Sequence, residues 1–593
     1  MKGKFLISVL LIFASFTCFA EKYRNLTSGN LTWSDPSMWL ISETSDPGEA
    51  PGPEDTFVVW YNSNPVDSPL QIYVDDTAEI QAIRTNNTRS CTTINLNPMY
   101  SDSGTSMTID SNLADTSSSI ELSWGTGVTG AEGRLNFEGV KGSSLTLQNS
   151  ANESAMLYLR LNPYAGNMES ATLRFGENVD VVSKNNITVY SANSPAVAAS
   201  ILEVAGNFTL KNGDTYKNLS LVNVANGENS LIVEETGSII ANNLTLNSYS
   251  TVDIAGKVTL MQNSNYSMTQ GKLLISGNLD IGDNAFNFAG GELTISSSDA
   301  ITAGQVNIQG SNAGSVFTVA EGVTFAPTTF KFNTKQTINI NGTLNHTLSD
   351  GNMINVNIGK NGVYNVTNRD GSSKWTIFVG TWVVDGTLIT SGFTNDSKIA
   401  SGEMTVNEGA TIIQSTGSIM MDGYQVIYPE LGQKSVLTLN ASNAFKKTES
   451  DSQSNFNIDI FRGKVTINVN ADNRFGRLAF TNVTELEQAI VLTLNVAEGV
   501  VLEFNSISGL QSDRTATLII EDFHLNSIKV YSLESSIDVS KISAEGWEDF
   551  DFVADATGGG YWLTATAIPE PAAFAGIFGL LAMAYCLRVK SKR

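Results

Sequence analysis

The amino-acid sequence predicts an all-β protein built as a parallel β-solenoid. Short strands with alternating apolar residues recur along the chain. A sequence motif with one turn glycine between two such strands is repeated many times. Proline is nearly absent from Pro163 to Pro429, as expected for central strands, in which each residue needs its N–H. A chain of 593 residues is also too long for one compact core, which favours repeats or several domains.

The repeated motif has a nearly constant spacing along the chain. It occurs, for example, around Gly386 and Gly409, and the glycines from Gly322 through Gly342, Gly362 and Gly386 to Gly409 are 20, 20, 24 and 23 residues apart. A repeat this short cannot bury its own apolar face, so it must stack on its neighbours. We therefore predict solenoid repeats over residues 160–565, with a string of β-sandwich domains as the alternative. The spacing loosens between Ala441 and Arg477.

A cap is predicted before the repeats, and two strands are predicted to end them. Residues 21–159 are assigned to an N-terminal cap and first β region, in which Trp33, Trp39 and Trp60 either plug the open end or form a platform for sugar stacking. This opening is similar to that of many secreted bacterial β-helix proteins. At the other end, residues 550–553 and 561–564 are predicted to form two strands joined through a loop of three glycines.

The N-terminus predicts a cleavable signal peptide over residues 1–20. Lys2 and Lys4 precede an apolar run, and small or polar residues follow it, so we expect cleavage after Ala20. A lipid anchor on Cys18 is disfavoured because the bulky Phe16 lies where such signals carry small residues.

Residues 568–593 predict a membrane segment with a preceding extended motif. The apolar residues 572–587 would make a helix of about 24 Å, short for a hydrocarbon core of about 30 Å. A cluster of basic residues follows, which favours the cytoplasmic side for this end of the chain. These membrane-stop charges are Arg588, Lys590, Lys592 and Arg593.

The tripeptide Pro569-Glu570-Pro571 directly before this segment resembles the PEP-CTERM sorting signal. The resemblance covers only the last 26 residues and implies processing by an exosortase in a Gram-negative-type envelope. It implies a producer of extracellular polysaccharide but no activity for the mature protein. The repeat region also resembles the β-helical passengers of autotransporters, although a C-terminus with one short helix disfavours that class.

Charge and cysteine content narrow the function further. The net charge is −24, and loss of the six basic residues in the two terminal signals leaves about −30, so nucleic acid is not an expected partner. Processing would also leave Cys91 as the one cysteine, which excludes an internal disulfide. We predict that Cys91 is a small buried residue.

No motif indicates a catalytic site, a metal site or a cofactor. His346 and His524 are the two histidines, and both lie in alternating segments typical of ordinary strands or turns. The alternative is a β-helical polysaccharide lyase or glycoside hydrolase, for which the fold and a basic stretch are the support. That stretch contains Lys446, Lys447, Arg462, Lys464, Arg474 and Arg477, set against Glu449, Asp451, Asp459 and Asp472. The cluster Glu548, Asp549 and Asp551 is predicted to be solvated.

These features predict a non-enzymatic, structural or adhesive protein of the cell surface or extracellular matrix. Export would require signal peptidase, and a precursor anchored in the inner membrane would precede exosortase processing. The membrane is a partner before processing, and extracellular polysaccharide is a further expected partner.

Overall fold

The structure is a computed structural model. It describes residues 21–23, 30–41, 50–60, 70–86, 91–111, 118–123, 131–161, 168–191, 199–223, 229–309, 315–333, 337–348, 352–368, 376–393, 397–450, 455–481, 489–568 and 571–590, with 54, 267, 269 and 428 left out. The chain is mostly β-strand with parallel sheets, so the all-β prediction is confirmed. It divides into two units, residues 1–261 and 262–593.

In the first unit, successive strands along the chain belong in turn to three different sheets. Sheet I contains Glu21–Tyr23, Thr56–Trp60, Ala82–Asn86, Ser118–Ser123, Met156–Leu161, Asn186–Ser191, Leu219–Asn223 and Leu244–Thr245, with Leu40–Ile41 antiparallel to the first. Sheet II contains Asn30–Thr32, Leu70–Tyr73, Cys91–Asn95, Ala131–Glu138, Met168–Phe175, Ala199–Val204, Asn229–Val233 and Thr251–Ile254. Sheet III contains Ala78–Ile80, Ser106–Asp110, Ser143–Gln148, Val179–Ser183, Asn207–Asn212, Ser238–Ala241 and Lys257–Leu260, with Thr215–Tyr216 antiparallel to Asn207–Asn212.

The second unit has one long sheet and two shorter ones. Sheet IV contains Lys272–Ile275, Glu292–Ile295, Val316–Val319, Thr337–Ile340, Asn352–Ile358, Ile377–Val384, Ser397–Val406, Ser418–Gly423, Ser435–Leu439, Asn457–Val469, Asn473–Phe480, Val491–Val496, Leu502–Ser508, Thr517–Glu521, Ile528–Leu533 and Ile542–Ser543. Sheet V contains Ser264–Tyr266, Ala285–Phe288, Gln305–Gln309 and Phe330–Asn333, and sheet VI contains Thr324–Phe325, Thr343–Leu348, Val363–Asn368, Thr387–Ser391, Thr411–Gln414 and Phe445–Lys446. Asn278–Asp280 pairs in parallel with Ile301–Thr302.

The remaining elements in the described part of the chain include short helices, a terminal hairpin and a long helix. Among them, 3₁₀ turns span Pro36–Met38, Pro429–Leu431 and Val539–Lys541. The strands Trp547–Ala554 and Tyr561–Ala567 pair antiparallel, so the predicted terminal hairpin is present. The helix α1 spans Pro571–Lys590. Among the described strands, antiparallel pairs involve Leu40–Ile41, Thr215–Tyr216 and the terminal hairpin, whereas β-sandwich domains would be antiparallel throughout.

Parallel stacking follows from the alternation of side chains. In Ser143–Gln148, for instance, buried and partly exposed residues alternate along the strand, and Leu145 and Leu147 are fully buried. Each buried residue stacks on its equivalent in the next repeat, as Phe317 does on Ile338, 21 residues further along. Paired positions lie farther apart in other places, for example 43 residues between Ile94 and Phe137. The repeat length varies because the loops between strands differ in length while the strands stay in register.

The turn glycines lie where neighbouring repeats come closest. A Cβ on Gly342, Gly362 or Gly386 would stand 2.0–2.3 Å from carbonyl oxygens of the preceding repeats. Gly322 and Gly409 differ, because space is open around them but their φ angles are +78° and +85°. The glycine of the repeated motif therefore has two physical roles: at some positions it allows close backbone approach, and at others it adopts a left-handed turn conformation.

Strands in and just before the region of loosened spacing bend and pair with two neighbours. Ser397–Val406 pairs with Ser418–Gly423 through its first half and with Ser435–Leu439 through its second half. The 13-residue strand Asn457–Val469 spans both again and turns at Gly463, whose φ is +72°. Each repeat in this region contains an additional strand. The additional strand lengthens the repeat, so the regular glycine spacing is no longer visible in the sequence.

The N-terminal tryptophans are core residues. Trp33 and Trp39 are 4% and 0% exposed, and their rings pack edge to face at 5.0 Å and against Phe57 at 5.6 and 5.4 Å. The Trp39 indole N–H donates to the Trp33 carbonyl oxygen at 2.8 Å. They therefore cannot serve as a sugar platform, while the Trp60 side chain lies outside the described residues. Cys91 is buried, as predicted.

Candidate functional site

The predicted sorting segment is described in part. Residues 572–587 fall within α1, which confirms a helix there, and Arg588 at its end is exposed. The large apolar side chains described on this helix are 59–71% exposed, and they are Phe578, Leu580, Leu581, Met583, Tyr585 and Leu587. Within the described part of the chain, no helix is both long and apolar enough to cross a membrane. Ala20, Pro569, Glu570, Lys592 and Arg593 lie outside the described residues, as does the Lys590 side chain.

The basic stretch does not form an open cationic groove from its arginines. The Arg462 Nε donates to both carboxylate oxygens of Asp422, at 3.1 and 3.2 Å, and Asp422 is fully buried. Arg477 donates to Asp459 at 2.8 Å. The Arg474 guanidinium lies 4.1 Å from the centre of the Tyr531 ring. These three arginines therefore contact internal partners, whereas Lys447 and Lys464 are exposed.

The two histidines have different surroundings. His346 is 2% exposed in a row of aromatic rings, where it contacts Phe330 at 4.7 Å and stacks on Tyr364 at 6.1 Å. Its Nδ1 shares a 2.8 Å hydrogen bond with the Tyr364 hydroxyl. Burial lowers the pKa of His346 to about 4, so the ring is neutral near pH 7. His346 is a core residue, whereas His524 lines a cleft near the end of the second unit.

This cleft is the candidate functional site. It has a volume of about 1060 Å³, at the upper end of the range for ligand pockets. Four acidic residues line it, and they are Glu498, Glu521, Asp522 and Glu545. Its other lining residues are Asn470, Asn495, Val496, Ala497, Ile519, Ile520, Phe523, His524 and Trp547. We name it the C-terminal cleft.

Strand register brings the polar lining residues together. Asn468, Asn495 and Glu521 are direct neighbours on three successive strands of sheet IV. Ile519 pairs with Ser543, and Glu521 and Glu545 each follow two residues after this pair. The carboxylates of Glu521 and Glu545 therefore come from neighbouring repeats.

An aromatic ring closes one side of the cleft. Trp547 is half-buried, and its ring packs edge to face on Phe523 at 5.2 Å. Phe523 in turn packs on Phe550 at 5.4 Å, so the ring is held by the core beneath it. Carboxylates, amides and a supported indole ring are the groups that typically contact the hydroxyls and the apolar face of a sugar.

Sequence analysis missed this site, although the chain carries a signal for it. Glu498, Glu521 and Glu545 are separated by 23 and 24 residues, which matches the spacing of the turn glycines. The sequence analysis did not separate these acidic residues, which recur at the repeat spacing, from the other acidic residues of the chain. The described residues contain no group of three His, Cys, Asp or Glu side chains arranged to hold a metal ion.

Comparisons with protein-family models, with curated proteins and with solved structures found no match to this chain.

Proposed function

We propose that this chain is an exported structural or adhesive protein of the cell surface or extracellular matrix. Its stacked parallel strands support a β-solenoid, a fold that presents long rows of side chains to solvent. Its strong negative charge suits a soluble protein that does not bind nucleic acid. Secretion through a signal peptide cleaved after Ala20 precedes sorting by an exosortase through Pro569-Glu570-Pro571.

The observation that carries the sorting proposal is the exposed apolar surface of α1. Leu580 and Tyr585 are 68% and 71% exposed, an unfavourable state for large apolar side chains in water. A lipid environment relieves this cost, and Arg588, Lys590, Lys592 and Arg593 would remain at the cytoplasmic surface. The motif would then lie at the opposite membrane face, where an exosortase of a Gram-negative-type envelope can reach it.

Replacement of Pro569, Glu570 and Pro571 by alanine is the test. In a host that carries an exosortase, we expect the variant to remain uncut in the inner membrane while the wild-type protein loses its tail. Membrane fractionation followed by intact-mass measurement reports both results. The matched control replaces Pro51 and Pro53, another Pro-x-Pro segment, and should be processed normally. Normal processing of the tail variant would refute the sorting proposal.

A second candidate function is cleavage of extracellular polysaccharide in the C-terminal cleft. The observation that favours it is the arrangement of Glu521 and Glu545 on neighbouring repeats, since pairs of carboxylates catalyse glycoside hydrolysis. The test is an assay of the purified 21–567 fragment against acidic and neutral polysaccharides. Turnover that is lost in Glu521→Gln and Glu545→Gln would establish an enzyme. We expect binding without turnover, in agreement with the adhesive function.

A further inference from the structure

We propose that the C-terminal cleft binds a positively charged saccharide, namely an oligomer of 2-amino sugars. The proposal deepens the adhesive function and rests on it for its biological role. Its physical basis is a site whose polar groups are hydrogen-bond acceptors and carboxylates, next to one supported aromatic ring.

A row of hydrogen-bonded asparagines places a hydrogen-bond acceptor in the cleft. Asn407 donates through Nδ2 to Asp385 Oδ1, Asn440 to Asn407, and Asn470 to Asn440, each at 2.7 Å. Because the Asp385 carboxylate only accepts hydrogen bonds, the first amide must turn its NH₂ toward it, and each following amide repeats that orientation. The amide dipoles are therefore aligned, and the row ends in the cleft with the Asn470 oxygen.

A second row has the same polarity. Asn468 donates to Thr438 Oγ1 at 3.0 Å, and Asn495 donates to Asn468 Oδ1 at 2.6 Å. Glu521 is the next residue in this register. The first row thus presents the exposed Asn470 to the cleft, whereas the Asn495 oxygen at the end of the second row is buried. The carboxylates of the cleft extend the same negative potential.

The charges of the cleft favour a cationic occupant. Glu498, Glu521 and Glu545 are exposed and come from three repeats, and Asp522 adjoins Glu521. Among the described lining residues there is no lysine or arginine, and His524 is the one basic side chain. The four acids give the cleft a negative potential, which attracts a cation.

The indole ring of Trp547 favours a cationic sugar over other cations. Trp547 offers a partly exposed ring held by Phe523, and such a surface accepts both the C–H face of a pyranose and a nearby ammonium group. A cleft of about 1060 Å³ is large enough for several linked sugar rings rather than a single small cation. An amino-sugar oligomer supplies hydroxyl donors, ammonium groups and apolar ring faces together.

Calorimetric titration of the full chain in a mild non-ionic detergent tests the proposal. The probe is the tetramer of β-1,4-linked glucosamine, and its N-acetylated tetramer is the uncharged comparison. We expect the glucosamine tetramer to bind at least tenfold more tightly at low salt, and this advantage to shrink as salt rises. Glu521→Gln and Glu545→Gln should each weaken binding about tenfold, and Trp547→Phe should weaken both tetramers.

The matched control is Glu548→Gln, which neutralises an exposed acid next to Trp547 in the chain but outside the cleft lining. It should change the dissociation constant less than twofold. Equal binding of the two tetramers, equal loss in the control variant, absence of binding, or loss of binding after chelation of divalent cations would each overturn the proposal. Since the titration needs no export or exosortase, its failure leaves the sorting proposal intact, and normal processing of the tail variant leaves this one intact.

Discussion

Substitution of Gly386 by asparagine is expected to destabilise the second unit by about 3 kcal/mol, the upper range for overpacking in a close-packed site. A Cβ at this position would lie 2.3 Å from the carbonyl oxygens of both Gly359 and Gly362. The Gly362 oxygen also accepts the backbone N–H of Thr387 at 2.9 Å, so a shift that relieves the clash weakens the pairing of two repeats. Urea unfolding of the 21–567 fragment measures the effect.

The same substitution at Gly409 is the matched control. Nothing lies within 4 Å of a Cβ there, and φ is +85°, a conformation that asparagine tolerates. We expect Gly409→Asn to cost less than about 1 kcal/mol. Equal losses at the two positions would contradict the assignment of Gly386 to close backbone approach.

Acid is expected to destabilise the second unit through His346. Burial lowers its pKa to about 4 in the folded protein, against about 6.5 in the unfolded chain. The unfolded state therefore binds the proton first as the pH falls. The stability contribution is fully present above pH 6.5 and is lost progressively between pH 6.5 and 4, by about 3 kcal/mol in total.

His346→Phe is the variant that isolates this effect. It keeps an aromatic ring in the row with Phe330 and Tyr364 but removes the titrating group. Urea unfolding at pH 7 and at pH 4.5 should show a smaller loss for the variant than for the wild-type fragment, by about 2 kcal/mol. The variant itself leaves the Tyr364 hydroxyl without the His346 partner, which costs about 1 kcal/mol at every pH. Identical pH dependence in the two proteins would contradict this role of His346.

Much of the fold was accessible from local patterns. Alternating apolar residues predicted strands, and the spacing from Gly322 to Gly409 predicted stacked repeats, because a strand shows its buried face in its own sequence. The bent strands after Ser397 were not predicted. Ser401 has a φ of +51° there, and nothing in its neighbours along the chain indicates that the strand changes partner at this point.

The candidate site was less accessible than the fold. Its carboxylates, Glu498, Glu521 and Glu545, are dispersed over 48 residues and have ordinary sequence neighbours. The basic stretch looked more functional in the sequence, yet Arg462 and Arg477 pair with Asp422 and Asp459. Charges on separate repeats meet or remain apart according to loop lengths, which sequence spacing alone does not reveal.

The sequence by itself determined that this protein is all-β, repetitive and acidic, with an apolar segment and basic residues at its C-terminus. Only the tertiary structure decided which turn glycines face a backbone, as Gly386 does, and which serve a left-handed turn, as Gly409 does. It also decided which acids line the C-terminal cleft. The physical reason is that each of these properties depends on pairing between residues about 20 or more positions apart, whereas strand formation depends on neighbours along the chain.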